Sequence, residues 1–146
     1  MERNVPNLEA LRTITDELVS SLKPGETATL VTLSGELGSG KTTACQMIGE
    51  RLGVADTMVS PTFVLEKVYE LDGAQGFQRL IHIDGYRLHS GEELTSLGLN
   101  DILADGKNLI LLEWPEMVES ALPRATVAIT LTVHEDGTRT YNEEHG

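Results

Sequence analysis

The chain has 146 residues, 40% of them hydrophobic and 23% charged, which fits one globular domain and excludes disorder, collagen or coiled coil as a description of the whole. Lys plus Arg number 11 against 23 Asp plus Glu, and the net charge of −12 at pH 7 disfavours autonomous binding to a nucleic-acid backbone. No apolar run approaches the roughly 18 to 20 residues a bilayer requires, no secretion signal opens the chain, and Cys45 is the only cysteine, so a cytoplasmic protein without membrane attachment is expected.

Leu8, Leu11, Ile14, Leu18, Val19 and Leu22 recur three and four apart, predicting an amphipathic helix with Asn7 as N-cap and Lys23-Pro24-Gly25 as its stop. Thr27 to Ser34 is rich in β-branched residues and reads as a strand, followed by a glycine-rich turn and a helix from Lys41 to Leu52. Met58-Val59 and Thr62 to Leu71 look extended, and the turn-rich Asp72 to Gly76 predicts a hairpin that resumes at Phe77. Leu80-Ile81-His82-Ile83 and Leu109-Ile110-Leu111-Leu112 are nearly continuous apolar runs, as central strands covered on both faces require. Between them, Ser90-Gly91-Glu92-Glu93 fits a capping box opening one helix, with Leu94, Leu97 and Ile102 on its apolar face. Thr126 to Val133 alternates as a strand, and Arg139 to Asn142 reads as a final edge strand. The expectation is one α/β domain over residues 1–146 with a central mixed, largely parallel sheet flanked by helices and with 1–6 and 134–146 peripheral or flexible; the glycine-rich Gly35 to Thr42 between a strand and a helix, ending in Gly-Lys-Thr, makes it a P-loop NTPase fold.

Gly35-Glu36-Leu37-Gly38-Ser39-Gly40-Lys41-Thr42 satisfies G-x-x-x-x-G-K-S/T between a predicted strand and a predicted helix. Glycines let successive backbone N–H groups turn toward one anion, and the helix start adds its own unpaired N–H groups. Lys41 then reaches the β- and γ-phosphates of a nucleoside triphosphate, Thr42 places a hydroxyl on Mg²⁺, and Thr43 is a candidate for the α-phosphate. Such a loop needs a carboxylate at a neighbouring strand end to hold the magnesium shell, and Asp84 has that position. Glu113 ends the other buried run; it could orient or deprotonate the attacking water, or start a helix ahead of Pro115. Trp114 could cover the nucleotide or anchor the sheet edge, and Thr62 stands where a switch threonine would lie, although Pro-Thr also begins many strands. His82 reads as a packed residue, or one that supports a site residue from behind, rather than a ligand, and Arg87 as a salt-bridge partner more than an arginine finger.

The P-loop through Thr43, Ser60-Pro61-Thr62-Phe63, His82-Ile83-Asp84-Gly85-Tyr86-Arg87-Leu88 and Leu112-Glu113-Trp114 form an ordered set. Together they resemble the TsaE family of P-loop ATPases of bacterial tRNA threonylcarbamoyladenosine synthesis, over roughly Leu8 to Val133. The resemblance implies an ATPase that uses ATP and Mg²⁺ and yields ADP, works with TsaB and TsaD, and meets tRNA only through that complex. It implies Lys41 and Thr42 on phosphates and Mg²⁺, Thr62 as the switch-like threonine, and Asp84 as the magnesium-shell acid. Glu113 would be the catalytic carboxylate, also near the metal, and Trp114 a neighbour of the nucleotide. Gly85 departs from the family pattern, and the acidic tail from His134 to Gly146 has no clear counterpart. A GTPase is disfavoured because N-K-x-D and D-x-x-G are both missing from the sequence. A nucleotide-dependent assembly module with negligible hydrolysis, or a small P-loop kinase, is the alternative.

Overall fold

The computed structural model describes residues 1–54, 66–88 and 91–146. Its strands are β1 (Glu2–Val5), β2 (Thr29–Gly35), β3 (Glu66–Glu70), β4 (Arg79–Asp84), β5 (Asn108–Glu113), β6 (Val127–Val133) and β7 (Arg139–His145), and its helices α1 (Leu8–Ser21), α2 (Lys41–Arg51), α3 (Gly91–Ser96) and α4 (Leu99–Ala104). The strands form one seven-stranded sheet in the order β1-β7-β6-β2-β5-β4-β3. The four inner strands β6, β2, β5 and β4 run parallel, whereas β1–β7, β7–β6 and β4–β3 pair antiparallel. Parallel order is thus confined to the centre of the sheet.

The apolar runs explain why the centre is buried twice over. Successive side chains of a strand face opposite ways. Val31, Leu33, Leu109 and Leu111 pack with Leu11, Ile14, Leu18 and Ile48 of α1 and α2. Leu30, Ile110 and Leu112 pack instead with Leu94 and Leu99 of α3 and α4 and with Val118. Every residue of β5 is buried, as a strand covered on both faces demands. Asn7 caps α1, its Oδ1 accepting from Ala10 N at 2.9 Å.

Three elements differ from the sequence expectation. The single helix expected after Gly91 is two short ones, because Gly98 takes a left-handed φ of 86° between them, and Leu97 is left 36% exposed instead of joining the apolar face. The N-terminal residues, for which the sequence reading gives no strand, form β1 at the sheet edge, paired with β7 from Glu2↔Asn142 to Val5↔Arg139. β7 therefore lies one strand inside the edge, and its Tyr141 is fully buried. The β3–β4 hairpin forms as expected, whereas Met58-Val59, Thr62 and the capping Ser90 lie outside the described residues. No helix among the described residues is long and apolar enough to cross a membrane.

Asp105, just past α4, ties this helix to β4. Its Oδ1 accepts from Lys107 N at 2.9 Å and its Oδ2 lies 3.2 Å from Arg79 Nη1. The backbone hydrogen bond from Lys107, aided by Arg79, holds its carboxyl below the ordinary carboxylate range. A depressed folded-state pKa adds stability above the unfolded value, which is lost as pH falls through the folded value. Asp105→Asn should therefore melt lower than the parent chain at neutral pH, and the difference should close on acidification below 3.8. Thermal melts of both proteins across that range check it.

Candidate functional site

β2 ends at Gly35, and the loop from Glu36 to Gly40 leads straight into α2. Gly35 has φ of 148°, and a Cβ there would stand 2.6 Å from Ser39 Oγ and closer still to the Leu131 carbonyl oxygen. Only glycine lets the loop sit this tightly on β6. Gly40, at φ 105°, precedes the first residue of α2 and aims the helix start into the cleft.

Lys41 is nearly buried, its Nζ donating to Gly35 O at 2.6 Å and Glu36 O at 3.0 Å. The ammonium also lies 4.1 Å from the centroid of the Trp114 ring. Burial pushes the Lys41 amine down, opposed by the negative fields of Glu113, Glu116 and Asp84. Thr42 Oγ1 donates to Glu113 Oε1 at 3.0 Å. Glu113 closes β5, is buried, and approaches the buried His82 at 2.6 Å between Oε2 and Nε2.

Asp84 and Glu113 are register partners at the carboxyl ends of adjacent parallel strands, where open α/β sheets bind ligands. Asp84 Oδ1 accepts from Tyr86 N at 3.0 Å and so starts the turn Gly85–Arg87. A Cβ at Gly85 would stand 2.7 Å from the Trp114 carbonyl oxygen, so glycine keeps this turn close against the β5 end. Trp114 follows Glu113 in the left-handed region at φ 60°, ψ 53°, with its N–H on Leu33 O at 3.1 Å. That conformation swings the indole out of the strand, over Lys41 and within 4.9 Å of the Tyr86 ring. Glu113 thus belongs to the strand and does not begin a helix; Pro115–Met117 is a single 3-10 turn set off by Trp114.

These groups share one cleft of about 280 Å³, into which Lys41, Thr42, Thr43, Asp84, Glu113 and Trp114 all face. Leu37 stands 73% exposed at its rim, and Thr62 lies outside the described residues. Sequence reasoning missed Arg139. From the start of β7 its Nε donates to Ser39 O at 2.9 Å and its Nη2 to Gly38 O at 3.2 Å, clamping the loop from outside while lining the same cleft. Chemically, the cleft sets cationic and N–H donors beside the Asp84 and Glu113 carboxylates, with the Thr42 hydroxyl on Glu113. The first set suits phosphate oxygens, and the second suits a hard divalent cation that prefers oxygen ligands.

The family model described as "Threonylcarbamoyl adenosine biosynthesis protein TsaE" matches residues 5–141, a span that holds the whole cleft. The chain belongs to the TsaE family. Among TsaE relatives, the tRNA threonylcarbamoyladenosine biosynthesis protein TsaE of Streptomyces coelicolor is 41% identical over 109 residues, 73% of this chain and 68% of that protein. The TsaE of Rickettsia felis is 34% identical over 134 residues, 91% of this chain and 73% of that protein. The TsaE of Bacillus subtilis is 34% identical over 125 residues, covering 86% and 73% respectively. Among solved structures, Bacillus subtilis YdiB aligns with a TM-score of 0.78 and 26% identity, over 100% of this chain and 86% of that one. The TsaE assignment ties the chain to tRNA threonylcarbamoyladenosine biosynthesis.

Proposed function

We propose that this TsaE-family protein is the Mg²⁺-dependent, ATP-binding and ATP-hydrolysing subunit that serves tRNA threonylcarbamoyladenosine synthesis together with TsaB and TsaD, in the cytoplasm. The observation that carries this reading is the convergence of Lys41, Thr42, Asp84 and Glu113 on one cleft at the carboxyl ends of parallel strands.

Lys41 holds the β- and γ-phosphates once its Nζ leaves the Gly35 and Glu36 carbonyls, and Thr43 faces the α-phosphate. Thr42 and Asp84, with Glu113 beside them, would hold Mg²⁺, which when bound screens the charge of the phosphoryl oxygens. Glu113 accepts a proton from the attacking water or orients it, and Trp114 covers the phosphates from solvent. Arg139, the arginine of this cleft among the described residues, is already engaged with loop carbonyls, which supports slow turnover by the free protein. An arginine supplied in trans accelerates related phosphoryl transfers by roughly 10³ to 10⁵. The charge of −12 supports meeting tRNA through partners instead of directly.

ATP turnover by the purified protein, alone and after adding TsaB, TsaD and tRNA, tests this. Slow turnover strongly raised by the partners is expected, and rates unchanged by them would overturn the partnership. The same samples offer a binding signal. Trp114 is the sole tryptophan and stacks on Lys41, so ATP should quench or shift its emission, and a constant spectrum would remove the indole from the nucleotide's surroundings.

A further inference from the structure

His82 lies in mid-β4 with its side chain wholly buried. Its Nε2 is 2.6 Å from Glu113 Oε2, while Nδ1 has no hydrogen-bond partner among the described residues. A carboxylate oxygen accepts, so this short contact calls for a proton on Nε2, while Nδ1 is left without a partner among the described residues. A buried polar atom without a partner is destabilising. The neighbours Leu80, Ile81 and Ile83 are what the interior of this strand otherwise contains. Packing alone favours a leucine at this position.

The contact is not part of a metal centre. Cys45 brings a third candidate ligand atom within 4.8 Å of the other two. Two ligands of a tetrahedral zinc, however, stand about 3.4 Å apart at ordinary bond lengths, and the His82–Glu113 separation is that of a hydrogen bond. Burial also pushes the Cys45 thiol up, away from the thiolate a metal would need.

We infer that His82 is a positioning residue whose Nε2–H holds the Glu113 carboxylate aimed at the cleft. The inference rests on the role proposed above for Glu113. Among the described residues the other side-chain donor to this carboxylate is Thr42, whose hydroxyl is also the proposed metal ligand. When Thr42 turns to the bound nucleotide complex, His82 remains and the carboxylate keeps its orientation.

Two substitutions separate this role from packing. His82→Leu fills the space without a polar group, and His82→Gln restores an N–H donor near Nε2 at a cost to packing. His82→Leu should melt below the parent chain, because the buried Glu113 carboxylate loses a donor, and bind ATP within about threefold, yet turn over about 10- to 100-fold more slowly. His82→Gln should melt lower but recover turnover to within about fivefold. Activity that simply follows the melting temperature, or undiminished turnover by His82→Leu, overturns the inference. A second readout needs no turnover: NMR of isotope-labelled imidazole should find a far-downfield His82 Nε2–H resonance that disappears in Glu113→Ala. An unprotonated Nε2, or a resonance indifferent to Glu113→Ala, would also overturn it. Should the parent chain hydrolyse no ATP even with partners, the proposed function fails, and the NMR result alone decides the His82–Glu113 pairing.

Discussion

Lys41→Ala should weaken ATP binding about 10- to 100-fold, the worth of a hydrogen-bonded charge on an anion of about 1.5–3 kcal/mol. The loss comes from the ammonium that would neutralise phosphate charge. Its hydrogen bonds to the Gly35 and Glu36 carbonyls hold the loop's first turn in the free protein and are given up on binding, so removing them does not add to the loss. Turnover at low ATP should fall at least as far, since Lys41 faces both substrate and transition state. The fold should survive, because the core beneath α2 is built by Ala44, Ile48 and Leu52 and not by Lys41. Trp114 fluorescence titrations and calorimetry measure the effect, and an affinity unchanged by the substitution would remove Lys41 from the phosphate site.

Glu113→Ala should do the reverse, lowering kcat by about 10²- to 10⁴-fold, as loss of a general base does, while ATP affinity changes only a few-fold. It should also cost about 1–3 kcal/mol of stability by stripping the acceptor from the buried His82. Single-turnover rates, binding titrations and thermal melts on the same preparation separate these terms. A folded variant with kcat unchanged would show that water is activated elsewhere.

Where a feature depends on neighbours in sequence, the chain announces it. The Asn7 cap, the three-and-four spacing of α1, the glycine loop and the apolar runs of β4 and β5 all appear as expected, because each is enforced within one element. β7 begins at Arg139 as expected, but β1 and the interior place it gives β7 were hard to read for the opposite reason. Their residues are largely polar, and pairing between strands at opposite ends of the chain makes them sheet. Gly98 was legible as a glycine but not as a break, since helices tolerate one at modest cost and its positive φ belongs to the folded backbone. The site divides along the same line. Lys41 and Thr42 come with a motif, and Asp84 with a strand end. Arg139 on the loop carbonyls and His82 on Glu113 are contacts across 100 and 31 residues, set by strand order and carrying no local signature.

The pairing of the first strand with the last also fixes where the chain starts and stops. Arg139, at the head of β7, touches the glycine loop, so β7 runs away from the cleft as it proceeds, and β1 is antiparallel to it. Met1 accordingly lies beside Glu143, its amino group donating to that carbonyl at 2.8 Å, and Gly146 reaches Thr126 at the entry of β6. Both ends emerge together at the pole opposite the cleft. An affinity handle or fluorescent fusion at either one would leave the cleft mouth open to a docking protein, and an immobilised chain would present its working face outward.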